Sequence, residues 1–197
     1  MRRSLALACL PLLLGLAPAQ EALPVRHVIG NACGFVVDPP KTLREWRERA
    51  DLVIHVRIVS QVSFEHETYR DFPDLMTAHE AEVLTLVKGH PRAVVEGGVQ
   101  QVIQRGGRTI RPDHILFETW NGFDIMPIGS EWLLFLEWNQ DLDGFTLFYR
   151  EHGAVEFKGG HVATPAIDSY HREWNGRPAE EFLRAIREHR WAPSRRG

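Results

Sequence analysis

The chain has 197 residues, 44% of them hydrophobic and 25% charged, with a formal net charge of -3. That balance excludes a disordered or collagen-like chain and offers no basic surplus for gripping nucleic acid. The length suits one domain of ordinary size, and no stretch past residue 20 is apolar for long enough to span a bilayer.

The chain opens MRRSLALACLPLLLGLAPAQ. Arg2 and Arg3 make a positive start, Leu5 to Leu16 a short apolar run, and Ala17-Pro18-Ala19 a small-residue cleavage site. Residues 1–19 therefore read as a secretory signal peptide cut after Ala19. The protein is expected to be exported, to the periplasm or beyond the cell. Cleavage would remove two arginines and Cys9, leaving a more acidic chain with a single cysteine, Cys33. One cysteine makes no internal disulfide. A small buried hydrophobe is its plain role, with a reactive thiol or an intermolecular bridge as alternatives.

Residues 20–40 read as a lead-in that stops at Asp38-Pro39-Pro40. Thr42-Leu43-Arg44-Glu45 fits a capping box, and Leu43, Trp46 and Ala50 then recur at helical spacing, predicting a helix over about 41–50. From Asp51 the period becomes two. Leu52, Ile54, Val56 and Ile58 alternate with Val53, His55, Arg57 and Val59, the pattern of a strand. Residues 61–74 read as a loop or as an extension of that strand. Further strands are predicted at 76–87, about 98–105 and around 115–120. The run Trp132-Leu133-Leu134-Phe135-Leu136 has no polar position and predicts a central strand buried on both faces. A hairpin through Asp143-Gly144 returns as a strand over 145–150. Short strands follow at about 154–157 and 161–163. A last helix opens at Arg177-Pro178-Ala179-Glu180, with Phe182, Leu183 and Ile186 on its apolar face. The tail 194–197 is expected to be disordered.

The expected class is therefore mainly β: a small OB-like β-barrel domain over residues 41–165 that opens with a short helix. Residues 166–197 supply a loop, the C-terminal helix and the tail. Three segments carry a family resemblance. They are Cys33 with a short helix and Ala50-Asp51-Leu52-Val53-Ile54; Val83-Leu84-Thr85-Leu86-Val87-Lys88-Gly89 with a strand and Gly106-Gly107; and Ile128 to Leu136 with a hairpin and Gly153-Ala154-Val155-Glu156-Phe157. Together they resemble exported bacterial proteins of unknown function whose domain is similar to the OB-fold of tissue inhibitors of metalloproteinases. The resemblance implies a fold. It does not imply protease inhibition, because those inhibitors chelate zinc through a disulfide-tied N-terminal cysteine, and Cys33 is neither terminal nor paired.

Candidate chemistry is sparse. His79-Glu80-Ala81-Glu82-Val83 begins like the zinc motif H-E-x-x-H, but Val83 stands where the second ligand belongs, and the segment reads as strand. Glu65-His66-Glu67 with His79 are weak candidate metal ligands, because zinc needs three or four such groups to converge. Glycine pairs at 97–98 and 106–107 lack phosphate-loop spacing, and no nucleophile elbow is present. Trp120, Phe123, Trp132, Trp138 and Tyr149 could form an aromatic platform, although core packing is the plainer role. The expected function is a non-catalytic binding module for a protein, peptide or glycan. No cofactor, nucleic acid or membrane span is expected for the exported chain. The competing expectation is a metal-dependent hydrolase using His66, His79 and nearby carboxylates.

Overall fold

The computed structural model describes residues 23–30, 40–66, 74–120, 123–164 and 171–188. The predicted leader, Cys33, Glu67 and the tail lie outside the described residues. In chain order the elements are β1 (Val25–Gly30), α1 (Leu43–Arg49), β2 (Leu52–His66), β3 (Asp74–Lys88), β4 (Val99–Arg105), β5 (Gly107–Ile110), β6 (Ile115–Trp120), β7 (Glu131–Asn139), β8 (Gly144–Leu147), β9 (Ala154–Lys158), β10 (His161–Ala163) and α2 (Ala179–Glu188). The fold is mainly β with two helices.

Local chemistry sets the first helix. The Thr42 hydroxyl accepts from the Glu45 amide at 3.1 Å, and the Glu45 carboxylate accepts from the Lys41 amide at 2.6 Å. Two amides that the helix cannot satisfy internally are thereby paired. Thr42→Ala removes one of these bonds and should lower stability by about 1 kcal/mol. A thermal melt followed by circular dichroism checks it.

β2 and β3 pair antiparallel over nearly their whole lengths, from Val53 opposite Lys88 to His66 opposite Asp74. Residues 61–66 of the polar stretch are thus strand, one of the two outcomes its sequence allowed. Register shifts at Val53/Ile54, His55/Val56 and Ile58/Ser60 bend the pair. β3 continues to β4, which meets β8 in parallel through Val102–Phe145 and Ile103–Thr146. β8 pairs antiparallel with β7, and β7 with β2. The pairings therefore close on themselves in the order β2-β3-β4-β8-β7. β9 and β10 extend the sheet beyond β7.

Alternation along these strands splits the core in two. Leu52, Ile54, Val56 and Ile58 of β2, Trp132, Leu134 and Leu136 of β7, and Val83, Val102 and Phe145 from the other strands form one cluster, contributed by every strand of the ring. Val53, Leu133 and Phe135 face the other way. They pack with Trp46 of α1, Phe182 and Ile186 of α2, and Trp174. β7 is consequently buried on both faces, as its apolar run predicted.

Two expectations need correction. Residues 20–40 were read as a lead-in with no element assigned, and Val25–Gly30 within it is a strand, β1, parallel to β6 in a separate three-stranded sheet ordered β1-β6-β5. The return strand after the hairpin is also shorter than 145–150. It stops at Leu147 because Tyr149 and Arg150 take left-handed backbone, with φ of 57° and 60°, and lead into a 3-10 turn at Arg150–Gly153. β4 passes to β5 through Gly106, φ 94°, where a Cβ would lie 2.6 Å from the Glu118 carbonyl oxygen. Only glycine fits that corner.

Candidate binding cleft

Outward side chains of the ring strands line a cleft of about 910 Å³. Met76 of β3, Ile103 of β4, Thr146 of β8 and Glu137 of β7 line it. Register places the last three side by side, Ile103 against Thr146 and Thr146 against Glu137. Met76 and Ile103 are buried and give it an apolar floor.

One rim is polar and aromatic. Arg105, at the end of β4, lies 3.5 Å from Asp74, at the start of β3. Its guanidinium also sits over the Trp120 ring, 4.7 Å from the centroid. The Trp120 indole N–H donates to Glu118 at 2.7 Å, and the Leu75 amide donates to the other Glu118 oxygen at 3.3 Å. Burial, helped by the Asp74 charge, nonetheless holds the Glu118 carboxyl above the usual range. The opposite rim is the β7–β8 hairpin. Asn139 there accepts from the Asp141 and Leu142 amides at 3.0 and 3.1 Å, which fixes the loop in one shape. Glu137 on that side is raised by burial and by the neighbouring Asp51 carboxylate.

The two histidines singled out in the sequence do not meet. His66 ends β2 opposite Asp74 and lines the cleft. His79 pairs with Gln61, five rungs away, which is roughly 16 Å along the strands. His79 is 0% exposed. Its Nε2–H donates to Gln104 Oε1 at 3.0 Å. That oxygen also accepts from the Met126 amide, and the Gln104 NH2 donates to the Asp124 carbonyl. The network fixes both the amide orientation and the imidazole tautomer. Burial pushes the His79 pKa down to about 4. His79 is thus a neutral interior group. Glu65 is engaged with Arg111 at 2.6 Å. Among the described residues no three His, Cys, Asp or Glu side chains are grouped to hold a metal ion.

The aromatic residues do not share a platform either. Phe123 and Trp132 are buried edge to face at 6.0 Å. Trp138 stacks with His90 and carries Arg92 at 4.5 Å, while Tyr149 packs on Trp46. Trp120 and Phe123 alone of the five line the cleft.

Sequence reading missed Asp74, Arg105 and Glu137 as residues of one cleft because they come from three separate segments. The usable signal was the polar stretch 61–74 and the aromatic pair Trp120 and Phe123, which supply His66, Asp74, Trp120 and Phe123 to the cleft.

Comparison with known proteins adds no assignment: no protein-family model matches the chain, and no curated protein sequence matches it.

Proposed function

We propose that the chain is an exported, non-catalytic binding module with an OB-like barrel, and that its ligand, a peptide, protein or glycan, lies in the cleft beside Trp120 and Arg105. The strand order β2-β3-β4-β8-β7 with its parallel β4–β8 closure is that expected of an OB-fold. The observation that carries the reading is where the cleft lies. It runs over β3 and β4, between the His66 and Asp74 ends of β2 and β3 and the β7–β8 hairpin, the face OB-folds use for ligands. Its volume falls in the range of small-ligand and short-oligomer sites, about 300–1,000 Å³. The charged rim groups are engaged with one another, as Asp74 is with Arg105 and Glu118 with Trp120, which favours a shaped recognition surface over a free acid or base.

The test is a glycan array and a peptide library probed with the full chain, followed by titration of any hit. Trp120→Ala should weaken a genuine cleft ligand about tenfold or more, since loss of a stacked cationic and aromatic surface costs on the order of 1–2 kcal/mol. An unchanged affinity in that variant, with the fold intact by circular dichroism, overturns the assignment of the cleft. Turnover of a hit abolished by one point change overturns the non-catalytic reading.

A further inference from the structure

The described sheets have three open or half-open edges, and two of them are blunted. β10 is three residues long, and its His161 bridges to Pro178. β5 is tied down beside β2, where the Arg108 amide donates to the Ser63 hydroxyl at 3.0 Å. Nothing among the described residues protects β1 in this way. Among the described residues it pairs only with β6. Val25, Val28 and Ile29 are 55%, 48% and 65% exposed.

The hydrogen-bond pattern says which groups stand open. The Ile115 amide donates to the Pro24 carbonyl, and Val25 is in register with Ile115. In a parallel ladder this turns the N–H and C=O groups of Arg26 and Val28 toward β6 and those of Val25, His27 and Ile29 outward. Such a row is a template for another strand, and apolar exposed edges of this length are normally covered.

From this edge we infer that β1 is a self-association strand, pairing antiparallel with β1 of a second copy of the chain about a two-fold axis through His27. The edge is complementary to itself. With His27 opposite His27 of the second copy, Val25 falls opposite Ile29 and Ile29 opposite Val25, so every outward group of the strand finds a partner. Arg26 falls opposite Val28, which keeps the two arginines apart and joins apolar side chains across the seam. A slide by two residues toward Gly30 leaves Val25 unpaired on both copies. The same patch meeting itself gives a closed dimer instead of an open fibre. Six residues a side make a small interface, so the dimer is weak and appears only as concentration rises.

Cross-linking reads the register directly. Opposed hydrogen-bonded residues of an antiparallel pair stand about 5.5 Å apart at Cα, within disulfide range, whereas Val25 of one copy lies far from Val25 of the other. In the full chain carrying Cys9→Ser and Cys33→Ser, oxidised His27→Cys should form a disulfide dimer and Val25→Cys should not. Sedimentation of the unmodified chain should show a monomer–dimer equilibrium that Ile29→Pro abolishes. That proline removes only an outward N–H, so the β1–β6 ladder and the melting temperature should be kept. Equal cross-linking at 25 and 27 overturns the proposal, as does a monomer at every concentration or a dimer that survives Ile29→Pro. Tighter binding of an unrelated strand peptide than of peptide 23–30 would instead give the edge to a partner protein.

Discussion

The protein should lose stability steeply as pH falls from about 6.5 toward 4, the range set by its buried histidines. His171 is 1% exposed. Its ring is stacked on Phe135, with centroids 5.3 Å apart and planes 9° off parallel, and Trp46 lies at 4.8 Å. Burial, with the neighbouring His152 adding to it, pushes its pKa down to about 3. His79, inside the ring of strands, is pushed down to about 4. An unfolded chain protonates both near 6.5, while the folded chain keeps both neutral until well below that. Between those values the unfolded state binds more protons, so acid favours unfolding. At pH 4 each residue has cost about 3 kcal/mol, and together they approach the roughly 5–15 kcal/mol that a domain possesses. His55 is lowered by burial as well and acts in the same direction, opposed by Glu131. Glu118 and Glu137 act oppositely. Their raised folded pKa values mean that protonation relieves a penalty, which trims the loss in the carboxylate range. Melting temperature measured against pH for the wild type, His79→Gln and His171→Phe decides the matter. Each variant should flatten the acid slope relative to its own neutral-pH value. A wild-type profile that stays level down to pH 4.5 would show that these imidazoles are not held neutral by the fold.

What the sequence made legible follows from how local the determining chemistry is. The cap at Thr42 and Glu45 acts within four residues, and the helix begins where it was expected. β7 was readable because five consecutive apolar residues leave neither face for water, and its two faces do enter two different clusters. β1 was not readable. VRHVIG is short and does not alternate cleanly, and its partner, Ile115–Trp120, lies about ninety residues away. The shortened return strand was hidden for a related reason, since nothing in Phe148-Tyr149-Arg150 announces two left-handed residues in a row. At the cleft, the sequence flagged Trp120 and Phe123 but not the Arg105–Trp120–Glu118 contacts. Those depend on β4 turning at Gly106 into β5 and on β5 pairing with β6. His79 misled because alternation along β3 places it inside the ring, and a histidine resembling a ligand in one dimension became a hydrogen-bonded core group in three.

Leu134→Ala should be among the most damaging single changes in the chain, and Leu133→Ala should nearly match it. Leu134 lies opposite Ile54 on one side and Ala154 on the other, with 0% exposure. Because β7 is held by β2 on one edge and by β8 and β9 along the other, its backbone cannot move in to fill the lost volume. The cavity therefore persists, and the cost belongs in the upper part of the about 2–5 kcal/mol seen for such truncations. For a chain of this size that is a fall in melting temperature on the order of 10 °C. Leu133 faces the opposite way, into the layer under Trp46 and Phe182, and is also 0% exposed. A strand with one wet face would give a large loss at one of the two positions and almost none at the other. His66→Ala is the control. His66 ends β2, is only half-buried and lines the open cleft, so its truncation leaves no closed cavity. Its melting temperature should stay within a few degrees of wild type. Similar small shifts for all three variants would mean that β7 is not the strand on which the two cores are built.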